Sequence, residues 1–218
     1  IWWNNKIIWD KIMGLISNGT TIFDAGALDS GLAKGAMTFI KKLTATNAST
    51  LSFIGGASGV VLDGTYKEYV FTFNDIHNDT DNGGINFQCS VDGGSNYNIA
   101  VTSSSFRVEH DEGDSDNTFA YRSDTNWDQA QGTAFQRVID GTGNGADECG
   151  AGTLTIFNPS STTFTKQWMS NTTNYHGANY VINYYFAGYF NTTSAINAVR
   201  FSTFSGNFDG DICLYGIA

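Results

Sequence analysis

A chain of 218 residues is long enough to bury a hydrophobic core within one domain of ordinary size. Only 15% of its residues are charged and 25 are Gly, a composition that is typical of a turn-rich β protein and disfavours long exposed helices. The formal charge of −10 repels nucleic-acid phosphates, so we expect no nucleic-acid partner. The sequence has no run of 18 apolar residues, so we expect no membrane insertion.

The N-terminal stretch is the most hydrophobic part of the sequence and carries three of the five Trp residues. Its apolar residues lie close to a helical spacing, which favours a short amphipathic helix, but Ile and Trp also favour strands, so edge strands are the alternative. We predict that residues 1–36 form a docking segment that buries these aromatics against the body, a neighbouring subunit or another protein; a plain piece of the core is the alternative. The predicted assembly residues are Trp2, Trp3, Ile7, Ile8, Trp9 and Ile12.

From Met37 onward, short apolar runs alternate with Gly, Asn, Asp and Ser. Turns such as Asp63-Gly64 supply the positive φ that tight hairpins need. Tyr69, Phe71 and Phe73 occupy every second position of one run, which predicts a strand with one face on a core. The predicted strands are 37–43, 50–54, 60–62, 68–75, 84–91, 99–108, 117–122, 132–139, 152–157, 163–169, 179–189, 198–202 and 211–216.

This succession of strands predicts an all-β fold: an antiparallel β-sandwich of jelly-roll type over residues 37–218, preceded by the short N-terminal docking segment. The three cysteines, Cys89, Cys149 and Cys213, are too few and too scattered for a disulfide framework or a zinc site. We expect them to be reduced, with one disulfide as the alternative, and we expect Cys213 in the core because it lies in an apolar run.

Several strings of this sequence are similar to strings in a set of known proteins. They begin with VLDGTYKEYVFTF at 61–73 and continue at 75–77, 87–88, 95–98, 152–160, 187–190, 196–201, 206–208 and 212–217. Together they resemble uncharacterised β-sandwich structural proteins of marine tailed bacteriophages, especially cyanophages. The resemblance covers about residues 51–218 and does not extend to the first fifty residues.

The resemblance implies a virion component: a tail fibre, an appendage or a capsid decoration protein. Such proteins are usually homo-oligomers, and a trimer is the expectation by analogy. The resemblance supplies no catalytic residues. The chain departs from the pattern at Cys213, where a polar or charged residue is commoner, and this indicates a final strand that is buried on both faces.

Two acidic loops are candidate cation sites. Carboxylates of Asp111, Asp114 and Asp116 alternate along one loop and could supply oxygen ligands to Ca²⁺, although the full EF-hand spacing is absent. The loop at 140–148 is a weaker case. A solvated loop is the favoured interpretation of both, so we expect no cofactor and no metal.

The sequence gives little reason to expect catalysis. Neither a nucleophile-elbow string nor a zinc-protease string is present. Glu109 and Asp111 could cleave a glycan if they formed a carboxylate pair, but alternate strand positions of this kind usually face solvent. We therefore expect no enzyme and assign no catalytic residue.

The aromatic residues in the last third of the chain offer a different function. Trp168, Tyr175 and Tyr180 are candidates for a glycan-facing surface, and the alternative is that these rings belong to the core or to a subunit interface. The sequence thus favours a non-catalytic virion structural protein that assembles through its β-sandwich and N-terminal segment with other virion proteins. A module that binds carbohydrate or recognises a host receptor, with a host surface glycan as partner, is the alternative.

Overall fold

A computed structural model describes residues 15–17, 20–24, 27–28, 36–124 and 126–218 of the chain. The chain divides into two compact units, Ile1–Ala36 and Met37–Ala218. The first unit contains three short strands that pair antiparallel in chain order: β1 (Leu15–Ser17), β2 (Thr20–Asp24) and β3 (Ala27–Leu28). The predicted assembly residues lie outside the described residues, so the choice between helix and strands at 1–14 and the docking role both stay predictions. Those residues are Trp2, Trp3, Ile7, Ile8, Trp9 and Ile12.

The second unit is built from strands, and no helix occurs among its described residues. Its strands are β4 (Met37–Ala48), β5 (Thr50–Ile54), β6 (Glu68–Asn78), β7 (Gly83–Ser90), β8 (Val101–Asp111), β9 (Asn117–Tyr121), β10 (Ala130–Gly132), β11 (Gln136–Thr142), β12 (Gly150–Phe157), β13 (Lys166–His176), β14 (Tyr180–Phe190), β15 (Ala198–Thr203) and β16 (Phe208–Ile217).

The predicted all-β class is confirmed, and most predicted strands coincide with observed ones. Residues 60–62 are an exception, because they form an irregular loop. Val60 and Leu62 are nevertheless buried, so their apolar side chains reach the core from a loop instead of a strand. The predicted strand 132–139 is also different: residues 133–135 leave the ladder and separate β10 from β11.

All strand pairings of the second unit are antiparallel, and they connect its strands into one 13-stranded sheet. One run of this sheet follows the order β4-β16-β6-β12-β13-β14-β8, with β9 and β10 both paired to β8; a second run follows β11-β7-β15-β5. The two runs are joined where Thr142 of β11 pairs with His176 of β13. The sheet is nearly closed into a barrel-like shape.

Aromatic side chains join the two runs across the core. Phe201 of β15 packs edge-on against Phe71 and Phe73 of β6, with ring centroids 5.1 and 5.4 Å away. Phe87 of β7 packs in the same manner on Trp168 of β13, at 5.1 Å. Edge-to-face contacts of this kind add to the stabilisation from burial alone, so these rings hold the runs together. The predicted inward side of β6 is confirmed by the burial of Phe71 and Phe73.

The predicted burial of Cys213 is confirmed. Cys89, Cys149 and Cys213 are free thiols. Cys213 is buried on one side of β16, while Ile212 and Leu214 are fully buried on the other. The predicted burial of both faces therefore holds at Cys213 only, because Asp209 on the same side is exposed and Asp211, Tyr215 and Ile217 are partly buried. No helix in the described part of the chain is long and apolar enough to cross a membrane.

Candidate functional site

The outward side of strands β9, β8, β14, β13 and β12 forms a broad surface of uncharged residues. Directly paired residues on neighbouring strands point to the same side, so the ladder defines rows of side chains. The three rows are Tyr121–Phe106–Tyr185–Asn171–Thr153, Phe119–Val108–Asn183–Thr173–Ala151 and Ser104–Ala187–Met169–Thr155. We call these residues the uncharged face, because none of them is Asp, Glu, Lys, Arg or His.

Large apolar side chains on the uncharged face are open to solvent. Phe119 is 71% exposed, and Tyr121 and Met169 are each 58% exposed. Monomeric proteins rarely leave a contiguous apolar patch of this kind uncovered unless it contacts something. Strand β14 buries Tyr184 and Phe186 on its other side. These residues would be buried in the core whether or not the outward side chains were apolar.

The middle of the uncharged face is a shallow groove of about 440 Å³. Phe106 and Tyr185 stack beside it with ring centroids 4.8 Å apart and planes 14° from parallel, and Phe119 lies 5.2 Å from Phe106. Met169 and Asn171 line the groove between these rings and the hydroxyl-bearing side chains of β12. The groove therefore offers apolar contact area together with uncharged hydrogen-bonding groups.

A second groove, of about 450 Å³, lies at the end of the same strands, next to the loop that joins β8 to β9. We call it the end groove; residues that line it include His110, Asp111, Glu112, Tyr175, Tyr180 and Val181. The hydroxyl of Tyr175 donates a hydrogen bond of 2.9 Å to Oε1 of Glu112. The backbone N–H of Glu112 in turn donates to the carbonyl of Asn179 at 3.0 Å, which fixes the loop against the β13–β14 turn.

Asp111, Asp114 and Asp116, the carboxylates of the alternative calcium site, make separate contacts. Asp111 accepts hydrogen bonds from Ser115 Oγ at 2.6 Å and from the backbone N–H of Asp116 at 2.7 Å, and this bonding to Ser115 and Asp116 lowers the pKa of Asp111 to about 2. Asp114 bonds the ring of His110, and Asp116 accepts from Thr118. Among the described residues there is no group of three or more His, Cys, Asp or Glu side chains suited to a metal. The loop carboxylates serve the turn itself.

Glu109 and Asp111, the candidate carboxylates for glycan cleavage, also contact neighbouring residues of the chain. Glu109 is buried and forms an ion pair of 2.9 Å with Arg107. Asp111 is held by its own loop. Each carboxylate is therefore held by contacts with its own neighbours, Glu109 by Arg107 and Asp111 by Ser115.

The three candidate glycan-facing aromatics are split between two environments. Trp168 is only 1% exposed and packs on Phe87 in the core, so its assignment to a glycan surface is corrected: its strand places it on the inward side. Tyr175 and Tyr180 are half-buried, and both line the end groove. The sequence interpretation missed the uncharged face, although the absence of charge at every second position of β8, β13 and β14 was a signal for it.

Comparisons of the chain with models of protein families, with curated proteins and with solved structures gave no match. The uncharged face and the end groove are the structural observations from which function can be inferred.

Proposed function

We propose that this protein is a non-catalytic structural component of a bacteriophage virion, in the class of tail fibres, appendages and capsid decoration proteins. It assembles as a homo-oligomer, for which a trimer is the expectation by analogy, and it contacts other virion proteins. The observation that carries the proposal is the uncharged face, which exposes Phe119, Tyr121 and Met169 on one broad side of the sheet.

Electrostatics favours a second copy of the chain as the occupant of this face. Each copy carries a formal charge of −10, so most surfaces of two copies repel one another. The uncharged face brings no like charges together when two copies meet there. Burial of its exposed apolar side chains then supplies the free energy of association.

Two finer features belong to the same proposal. The two runs of the sheet face one another across the aromatic core, which supports a β-sandwich of jelly-roll type. Residues 1–36, with the three Trp of the N-terminal stretch, serve as the docking segment that attaches the domain to the virion. Replacing Trp2, Trp3 and Trp9 together by Ser in the full chain should weaken attachment to partner proteins and leave association through the uncharged face intact.

Light scattering on the full chain tests the assembly proposal. Phe119→Asp places a charge in the uncharged face, and we expect it to convert an oligomer into a monomer. Phe164→Asp is the matched control, because Phe164 is 70% exposed but lies in the loop before β13, outside the face. Circular dichroism establishes that both variants are folded. A monomeric wild type, or equal association of the two variants, would contradict the proposal.

A second candidate function is favoured by one observation: Tyr175 and Tyr180 line the end groove beside Glu112 and Asp111. Aromatic rings next to hydrogen-bonding side chains are the composition of many saccharide sites. In this alternative the protein is a carbohydrate-binding or host-receptor-recognition module of a phage fibre. Screening host surface glycans against the wild type and Tyr180→Leu tests it, since specific glycan binding should be lost in the variant.

A further inference from the structure

The end groove has the dimensions of a site for a small molecule. Its volume of about 450 Å³ is within the range of ordinary ligand pockets, and it is open to solvent along the sheet. Its apolar wall includes Val181 and the rings of Tyr175 and Tyr180. The groove shares Thr173 and Ala151 with one row of the uncharged face, but its acidic and aromatic lining residues lie outside the three rows.

The walls of the groove are fixed before any ligand binds. Tyr175 is held by its hydrogen bond to Glu112, and Glu112 is held by its backbone bond to Asn179. Asp111 is locked by three hydrogen bonds within its loop, two from Ser115 and one from Asp116. A preorganised wall avoids the entropic cost of ordering side chains on binding.

The charge around the groove has one sign. Asp111 and Glu112 line it, and the described lining residues include no Lys or Arg. His110, the one basic residue among those described, is bonded to Asp114. Carboxylates surround both tyrosines: a hydrogen bond to Glu112, with the charges of Asp147 and Glu148, raises the pKa of Tyr175. Burial, together with the charges of Asp116, Asp111 and Glu109, raises the pKa of Tyr180. The groove is thus a region of negative potential with aromatic walls.

We propose that the end groove binds a small organic cation, in which a quaternary ammonium or protonated amine is carried on a compact apolar body. The faces of Tyr175 and Tyr180 attract the cation through the ring quadrupole, and Glu112 and Asp111 supply the countercharge. The apolar body packs on Val181. Anionic ligands are rejected by the same carboxylates.

Choline and its neutral isostere dimethylbutanol, in which carbon replaces nitrogen, are the probes that isolate the charge. Binding to the full chain is measured by saturation-transfer NMR and by protection of Cys149 from iodoacetamide. Cys149 lines the groove, whereas Cys89 and Cys213 are buried, so its alkylation rate reports occupancy of this site. We expect choline to bind and to slow alkylation, and we expect dimethylbutanol to bind at least about threefold more weakly.

Matched variants test the residues. Tyr180→Leu should weaken choline binding about three- to tenfold. Glu112→Gln removes the charge but keeps an oxygen that can accept the hydrogen bond of Tyr175, and it should weaken binding and its salt dependence together. Glu68→Gln is the control: it makes the same change in net charge at the far end of β12, where Glu68 pairs with Phe157, and it should leave binding unchanged.

Three outcomes would overturn the inference. Equal binding of choline and dimethylbutanol would make the groove merely apolar. Absence of any binding would show that the groove is no site for this class of ligand. Binding of neutral glucose in preference to choline would instead support the glycan-binding alternative. Repeating the titrations at dilutions where light scattering reports a monomer keeps this test separate from the assembly proposal.

Discussion

The two sides of strand β14 differ in what holds their residues in place. On the inward side, Ile182, Tyr184 and Phe186 are buried among rings from the other elements of the core. On the outward side, Tyr185 stacks on Phe106 but remains half-exposed, at the centre of a surface without charge. The inward aromatics are explained by folding, whereas the outward ones are not required by it. This difference supports our proposal that the outward side contacts another molecule.

The largest expected effect on the free energy of unfolding comes from removing the ring of Phe201, a buried residue of β15 in the same core. Phe201 contacts Phe53, Phe71 and Phe73, and Phe201→Ala should lower the free energy of unfolding by about 3–5 kcal/mol because it leaves a cavity. Phe119→Ala, on the outward side, should change it by less than about 0.5 kcal/mol when measured on the monomeric species. Urea denaturation followed by fluorescence measures both. Similar losses in the two variants would abolish the distinction between the sides.

A smaller effect is expected from a buried amide. The side chain of Gln136 accepts a hydrogen bond from Ser103 Oγ at 2.7 Å and donates to the carbonyl of Trp127 at 3.2 Å. Gln136→Met removes the amide, so Ser103 Oγ and the carbonyl of Trp127 each lose a hydrogen-bond partner. The free energy of unfolding, measured by thermal or urea denaturation, should fall by about 1–3 kcal/mol. Gln167→Met is the control on the outward side of β13, where the amide is exposed, and a loss there as large as that at Gln136 would be unexpected.

The smallest effect should come from a loop that belongs to neither side. Asp92 accepts hydrogen bonds from Ser90 Oγ at 2.6 Å and from the side chain of Asn96 at 2.7 Å, and these bonds lower its pKa from 3.8 to about 2. Because the folded-state pKa lies below the ordinary value, this contribution to stability is present above about pH 4 and is lost as the pH falls toward 2. Unfolding of the wild type and of Asp92→Asn across this range measures it. The free energy of unfolding of the variant should depend less on pH than that of the wild type. Identical pH profiles of the two proteins would show that Asp92 makes no such contribution.

Alternation along single strands allowed the inward side to be predicted from the sequence, as in Phe71 and Phe73. It failed for Trp168, because its inward neighbours on β13 are Lys166 and Ser170, which carry no apolar signal. Lys166 is fully buried, and its Nζ donates to the carbonyls of Phe164 and Thr192. A pattern of apolar and polar residues would place a lysine on the solvent side, so it does not predict this burial.

Single strands carry only part of the signal for the uncharged face, namely the alternate positions without charge. Its rows depend on the register between Phe106, Tyr121 and Tyr185, which lie in three different strands. Polar residues also obscured strand ends: β8 and β13 run to Asp111 and His176, beyond their predicted limits, and it is these extensions that border the end groove. Cross-strand pairing supplies what the linear pattern lacks.

The most direct test of the central claim is the oxidation rate of Met169 by dilute peroxide, followed by mass spectrometry of the full chain. Met169 is 58% exposed on the uncharged face, so its thioether should react readily whenever that face is open. At concentrations where light scattering reports an oligomer, we predict that Met169 is protected in the wild type and reacts quickly in the monomeric Phe119→Asp variant. Equal, rapid oxidation of Met169 in both proteins would show that the face stays uncovered in the assembly, and would contradict the claim that the copies meet there.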